Sequence, residues 1–105
     1  MINGINQFLP KQDRAFITRV CEGTLEYRIQ IDYIINSFSK VTVDKMKPAI
    51  REILRSAVYQ LKYMDSVPDS AVCNEAVKLA QRKGFYNLKP FVNGVLRTIA
   101  REMDQ

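Results

Sequence analysis

Basic side chains recur at intervals of four residues near the end of this chain. The series consists of Lys89, Asn93, Arg97 and Arg101. On a helix this spacing places its members in one row. The stretch from Ala76 to Ala100 carries five basic residues and no acidic one, so the charge around the row is one-sided. Because lysine and arginine bind phosphate oxygens, the row predicts contacts with the phosphates of a nucleic acid.

A second group of cations lies in the middle of the chain, together with an aromatic residue. Its members are Lys47, Arg51, Arg55 and Lys62, with Tyr59 on the flank. They fall in one sector of a predicted helix, beside its apolar face. Guanidinium groups pair with phosphates and aromatic rings stack on bases, which suits single-stranded RNA. The alternative interpretation is that both rows are ordinary solvated helix faces.

The sequence offers little for catalysis. It has no histidine, which excludes imidazole chemistry and leaves only carboxylates and thiols for a metal site. It contains no glycine-rich phosphate loop and no nucleophile beside a plausible base. Cys21 and Cys73 are expected to fill the core, where free cysteine is commonly buried. We therefore expect no enzyme activity, no metal and no cofactor, S-adenosylmethionine included.

Length and composition indicate a single domain. The chain has 105 residues, 47% of them apolar, enough for one hydrophobic core. Its net charge of +5 favours nucleic acid or an anionic membrane surface as partner. No apolar run approaches the roughly 20 residues that a membrane-spanning helix needs. With two distant cysteines and no secretory signal, we expect a soluble protein of the reducing cytoplasm, without membrane contact.

The elements that would carry these side chains are all helical in pattern, and no segment alternates as a strand does. We predict an irregular segment over residues 1–10, followed by a domain over residues 11–105. Residues 11–38 favour two helices, or one bent helix, with the break after Gly23. Residues 46–64 follow helical spacing with few faults, and Pro48 marks the first turn.

Two more helices complete the predicted fold. Ser66 and Asp69 have the spacing of a capping box for a helix that ends before Gly84. The last helix covers residues 88–103 and carries the first basic row. Within it Gly94 suggests close packing of a neighbouring element, with close approach of a ligand as the alternative. The fold class is therefore all-α, a compact helical bundle.

Three segments in this order resemble the NusB-like family. They read LR and VYQL at residues 54–61, VP and AVCNEAVKLA at residues 67–80, and FVNGVLR at residues 91–97. The likeness extends upstream to residue 12 and covers nearly the whole chain. It implies an all-α, RNA-binding helical bundle that lacks the family's usual first basic helical segment, because residues 1–10 are too short to supply it.

The family has two branches, and the sequence of these segments is more similar to the methyltransferase branch. That branch is the amino-terminal domain of a 16S rRNA cytosine-C5 methyltransferase, and RTIAR at residues 97–101 with PDS at residues 68–70 resembles it. The other branch, the transcription antitermination factor, commonly has an acidic residue where Arg97 stands. The resemblance implies a non-catalytic domain that positions ribosomal RNA for the methyltransferase. Antitermination and protein interaction without RNA remain the alternatives.

The resemblance also indicates the partners. Ribosomal RNA is the expected ligand, with a methyltransferase domain or a ribosomal protein as the protein partner. Since the methyltransferase domain of that branch is not present in the sequence, three alternatives stay open: a fragment, a truncated gene product or an excised domain. Without the first helical segment, apolar surface would be left uncovered, which makes a homodimer a further expectation.

Overall fold

The computed structural model describes residues 14–64 and 66–103, and these residues form five α-helices and two short 3-10 turns. The helices are α1 (Arg14–Glu26), α2 (Arg28–Phe38), α3 (Pro48–Tyr63), α4 (Asp69–Arg82) and α5 (Lys89–Met103). The 3-10 turns cover Val43–Lys45 and Tyr86–Leu88. The described ranges contain no β-strand, which confirms the all-α prediction. The irregular segment expected at residues 1–10 lies outside the described residues.

The predicted break between the first two helices falls at Tyr27, four residues after Gly23. Backbone hydrogen bonds continue across it, because Tyr27 N–H donates to the Gly23 carbonyl and Ile31 N–H donates to the Tyr27 carbonyl, both at 2.9 Å. Gly23 itself is buried inside α1 against the ring of Tyr59. A methyl group at position 23 would overlap that ring, so this glycine permits a close approach of α1 and α3.

Helix α3 is the central element of the bundle. It begins at Pro48 as predicted, and it packs against α1, α2, α4 and α5. Every residue from Ile53 to Gln60 is buried, including polar ones. A helix enclosed in this way has no continuous solvated face along its middle, which matters for the second basic row.

The ends of α4 show one wrong prediction and one confirmed. Pro68 occupies the position before the helix and makes no side-chain capping bond, so the capping box of Ser66 and Asp69 does not form. At the other end Gly84 has φ +86°, a conformation that glycine adopts without strain. Gly84 N–H donates to the Gln81 carbonyl at 3.0 Å, and Phe85 N–H donates to the Ala80 carbonyl at 2.9 Å. This pair of bonds is a Schellman motif, and it ends α4 at the expected place.

The core joins all five helices. Cys21 and Cys73 are fully buried, as predicted. Small residues of α4, among them Ala76 and Ala80, are buried where α4 packs on α3 and α5. Gly94 is exposed with open space around its α-carbon, so the expectation of close packing there is wrong. None of the helices in the described ranges is long and apolar enough to cross a membrane.

Candidate nucleic-acid interface

The basic row of α5 lies beside α4, and Lys89 stands at its start. The Lys89 ammonium donates to Gln81 Oε1 of α4 at 2.9 Å. The same nitrogen lies 5.1 Å from the centroid of the Tyr86 ring. Lys89 is half-buried, so its charge is held at a defined position near the beginning of the helix.

Arg97 is exposed, and two asparagines hold it. Its Nε donates to Asn93 Oδ1 at 3.1 Å within α5, and its Nη2 donates to Asn74 Oδ1 of α4 at 3.2 Å. Amide oxygens are neutral, so these bonds orient the guanidinium without cancelling its charge. They also explain the two asparagines inside helices, where asparagine is otherwise unfavourable. The result is an oriented cation on the surface, a geometry that suits a charged hydrogen bond to an anion.

Arg101 continues the row toward the end of α5. It is exposed, and its Nε lies 3.8 Å from Glu102 Oε1, a loose pair on the surface. The structure thus brings the α5 row together along one helix, beside α4. We call this region the α4–α5 surface and define it by six residues: Asn74, Gln81, Tyr86, Lys89, Asn93 and Arg97.

Sequence reasoning did not assign Tyr86 and Gln81 to this region. Gln81 Nε2 donates to the Tyr86 hydroxyl at 2.7 Å, and its Oε1 accepts from Lys89. The two residues belong to different elements, a helix and a 3-10 turn, so no single helical period relates them. One signal for Tyr86 was available in the sequence: it is an aromatic residue in the short loop after Gly84. A loop position does not need a large apolar residue for the core, so an aromatic residue there suggests another role.

Arg55 was predicted to contact RNA, and the structure contradicts the solvent access on which that prediction depends. Arg55 is only 6% exposed. Its Nε and Nη2 each donate to a carboxylate oxygen of Asp32 at 2.8 Å, and its Nη1 donates to Glu52 Oε1 at 3.1 Å. Burial opposes the charged form, but the bonds and charges of Asp32 and Glu52 prevail and raise the pKa of Arg55. Arg55 is therefore a structural ion-pairing group between α2 and α3.

Tyr59 is a second correction, because it is only 7% exposed. Its ring lies against Gly23 and belongs to a cluster with Tyr27 and Tyr63. Tyr27 and Tyr63 stack with their centroids 4.4 Å apart. The Tyr63 hydroxyl donates to Gln30 at 2.7 Å, and burial together with the neighbouring Tyr59 raises the Tyr63 pKa. These rings join α1, α2 and α3, and the Tyr59 ring is not accessible to a base.

The remaining cations of the second row stand near the two ends of α3. Lys47 is exposed just before the helix, and Lys62 is exposed at its end, 5.5 Å from the Tyr63 ring centroid. Arg51 is half-buried, and its Nη1 donates to the Val43 carbonyl at 3.5 Å. Lys62 stands fifteen positions after Lys47, roughly 22 Å further along the helix axis. The row expected from the sequence is thus interrupted by the buried middle of α3.

A concavity in another part of the described residues does not bring together the groups of a reactive site. A cavity of about 230 Å³ between α1, α3 and α4 has mainly apolar walls, including Phe16, Ile53 and Leu79. Burial raises the pKa of both Cys21 and Cys73, which disfavours the thiolate form that reacts. Within the described ranges no cluster of histidine, cysteine or acidic residues has the arrangement to hold a metal ion.

Comparison with known proteins supports the resemblance found in the motifs. The model of the NusB family matches residues 3–101. The chain is 39% identical over 94 residues to the probable ribosomal RNA small subunit methyltransferase B of Bacillus subtilis, covering 90% of this chain but 21% of that protein. It is 42% identical over 85 residues to the transcription antitermination protein NusB of Acidothermus cellulolyticus, covering 80% of this chain and 59% of that protein.

A solved structure agrees in fold as well as in sequence. Thermotoga maritima NusB superposes with a TM-score of 0.79 at 30% identity, covering 91% of this chain and 68% of that chain. The helical bundle is therefore the same fold. The chain spans about a fifth of the methyltransferase relatives and a larger share of the antitermination proteins.

Proposed function

Since the chain belongs to the NusB family, we propose that it is a non-catalytic RNA-binding domain that positions ribosomal RNA for a 16S rRNA cytosine-C5 methyltransferase. The likeness to the probable ribosomal RNA small subunit methyltransferase B of Bacillus subtilis supports this assignment. A domain that holds the substrate RNA would raise the local concentration of the target base at a linked catalytic domain.

The oriented guanidinium of Arg97 is the observation that carries the proposal. Asn74 and Asn93 fix its direction, and both are neutral. An arginine that served only for stability would more commonly face a carboxylate, as the buried Arg55 does. The stretch from Ala76 to Ala100 has no acidic residue at all, so the positive potential there is not offset within the segment. Such a surface attracts a polyanion and releases its counterions.

We assign the RNA contact first to Lys89, Asn93, Arg97 and Arg101. Lys47, Arg51 and Lys62 are proposed as secondary contacts near the ends of α3, reached only by an RNA that extends beyond the α4–α5 surface. Arg55 and Tyr59 are left out, because both are buried. The protein partner is a methyltransferase domain or a ribosomal protein, and the buried free thiols agree with action in the reducing cytoplasm.

A salt titration tests this assignment. Fluorescent fragments of 16S rRNA are titrated with the wild type and with the double variant Lys89→Gln, Arg97→Gln at several salt concentrations. We expect weaker binding by the variant, and a slope of log affinity against log salt that is smaller by roughly 0.7 to 0.9 for each lost phosphate contact. Circular dichroism checks that the variant keeps its helicity.

The matched control removes two charges from another part of the molecule. Arg19 on α1 and Lys40 after α2 are both exposed, so the variant Arg19→Gln, Lys40→Gln has the same net charge as the test variant. It should retain most of the affinity and the slope. If both double variants lose affinity equally, RNA responds to net charge alone, and the assignment to the α4–α5 surface is wrong. If the wild type shows no salt-dependent binding of RNA, a protein-interaction domain is favoured instead.

A second candidate function is transcription antitermination. It is favoured by the extent of the match, because the chain covers 59% of the Acidothermus cellulolyticus antitermination protein and 68% of the Thermotoga maritima chain. A factor of that kind would bind RNA together with a ribosomal protein. Adding purified small-subunit ribosomal proteins to the titration separates the two. A large gain in RNA affinity with one of them would favour antitermination, and unchanged affinity would favour the methyltransferase role.

A further inference from the structure

We propose that Tyr86 is a base-stacking platform, and that it makes the α4–α5 surface select single-stranded RNA over duplex. This inference rests on the proposed RNA-binding function and adds to it the form of RNA and the residue that recognises it. None of the cations described above can make that distinction, because single strands and duplexes both carry phosphates.

Tyr86 is exposed and yet held in place. Its surface is 62% exposed, while its hydroxyl accepts from Gln81 at 2.7 Å and the Lys89 ammonium lies 5.1 Å from its ring centroid. Gln81 also accepts from Lys89 at 2.9 Å, so the three side chains form a closed set. An exposed ring that is already ordered loses little conformational freedom when a ligand stacks on it.

The surroundings of the ring suit a nucleotide. Lys89 supplies a cation directly at the ring, and Arg97 stands eight residues further along α5, roughly 12 Å away. When a base of the RNA stacks on Tyr86, the backbone of that RNA strand would pass close to Lys89. The following phosphates of the strand would then lie along α5 toward Arg97. The face of an aromatic ring accepts any base, so the contact is tolerant of sequence.

Stacking on a protein ring requires a base whose face is free. In a duplex each base is covered by its neighbours, and RNA helices are recognised mostly through backbone and shape. Tyr86 therefore contributes to binding only when the RNA is single-stranded or has an unpaired base. Positioning an unstacked segment also fits a domain that serves a base-modifying enzyme, which needs its target base outside the helix.

Another exposed tyrosine provides the matched control. Tyr33 on α2 is 74% exposed. Among residues 14–64 and 66–103, no side chain holds the Tyr33 ring as Gln81 and Lys89 hold that of Tyr86, and the Ser37 hydroxyl donates to the Tyr33 backbone carbonyl, not to the ring. If any exposed aromatic residue bound RNA, Tyr33 would serve as well as Tyr86.

The experiment compares Tyr86→Leu, Tyr86→Phe and Tyr33→Leu with the wild type. Each is titrated with a fluorescent 12-nucleotide RNA, first single-stranded and then annealed to its complement. We expect Tyr86→Leu to lose at least about fivefold in affinity for the single strand, the lower end of what one stacked base contributes. Its affinity for the duplex and its salt slope should not change, because no charge is lost. Tyr86→Phe keeps the ring and should retain most of the affinity, and Tyr33→Leu should match the wild type.

A change on the RNA side guards against a misfolded variant. Wild-type protein should bind a single strand with one abasic position in its contact region more weakly than the intact strand, whereas Tyr86→Leu should bind both alike. Equal single-strand affinities of Tyr86→Leu and wild type, with salt-dependent binding intact, would overturn the stacking role alone. Absence of salt-dependent RNA binding by the wild type would overturn the proposed function itself.

Discussion

Asp32 of α2 and Arg55 of α3 meet edge to edge, with Arg55 Nε and Nη2 each 2.8 Å from a different carboxylate oxygen. Two parallel bonds fix the direction of the guanidinium as well as its distance. Glu52 accepts from the remaining nitrogen at 3.1 Å. The pair therefore sets how α2 lies on the central helix, and its loss should affect folding before it affects ligand binding.

Replacing Arg55 by Gln should destabilise the protein by about 3 kcal/mol, the lower end of the range for breaking a buried ion pair. The lower end applies because the Asp32 side chain remains 21% exposed and water can reach it. Arg97→Gln, at an exposed position, should change stability by no more than about 0.5 kcal/mol. Urea unfolding followed by circular dichroism measures both. A stable Arg55→Gln variant with reduced RNA affinity would contradict the structural role.

Gly23→Ala should destabilise by about 1 to 3 kcal/mol, because the added methyl group meets the buried Tyr59 ring and forces it to move. Gly94→Ala is the matched control, since a methyl group there meets no neighbour within 4 Å. It should stabilise by about 0.5 to 1 kcal/mol through helix propensity alone. Thermal unfolding of the two variants should shift in opposite directions. Shifts of the same sign would show that the contact between α1 and Tyr59 is not tight.

Asn74→Asp should weaken RNA binding while preserving the fold. The aspartate has nearly the shape of asparagine and can still accept from Arg97 Nη2, but it adds a negative charge that pairs with the guanidinium. We expect the salt slope to fall by roughly 0.7 to 0.9, as if one phosphate contact were lost. Asn74→Gln, which adds no charge, is the comparison. If both variants bind alike, the charge of Arg97 does not contribute to RNA affinity.

The two thiols should be unreactive in the folded protein. Cys21 and Cys73 are fully buried, and burial raises both pKa values above the ordinary 9.0. At pH 8 an aromatic disulfide reagent should label them only after urea unfolds the chain, because the thiolate is the nucleophile. The Cys73→Ala variant should then show one labelled thiol instead of two. Rapid labelling of either cysteine under native conditions would contradict its burial.

The same raised pKa values give stability a pH dependence. The folded state holds the thiol protons more tightly than the unfolded chain does, so this contribution is fully present below pH 9.0. It declines as the pH rises through the folded-state values, because the unfolded chain then gains from ionisation. Urea midpoints measured between pH 8 and pH 10.5 should fall less in the Cys73→Ala variant than in the wild type.

Much of the fold could be predicted from local pattern. Pro48 at the start of α3, the break after Gly23 and the end of α4 before Gly84 each follow from a backbone property of a single residue or its neighbours. The capping box of Ser66 and Asp69 could not be excluded from the local pattern. In the structure α4 begins at Asp69, so Pro68 and not Ser66 is the residue directly before the helix. Gly94 was misinterpreted for a similar reason, since a glycine at a contact and a glycine facing solvent look the same in sequence.

In the candidate site, too, features that lie within one helix could be predicted, and features that depend on the packing of several helices could not. The sequence by itself determined the α5 row, because four-residue spacing on one helix needs no knowledge of any other element. It also determined the family, through motifs that cover nearly the whole chain. Only the tertiary structure decided which cations reach solvent: α3 is enclosed by its neighbours, so Arg55 and Tyr59 became internal contacts. It likewise decided that Gln81 and Tyr86 join Lys89, because a distance between separate elements depends on how helices pack and not on the spacing within one of them.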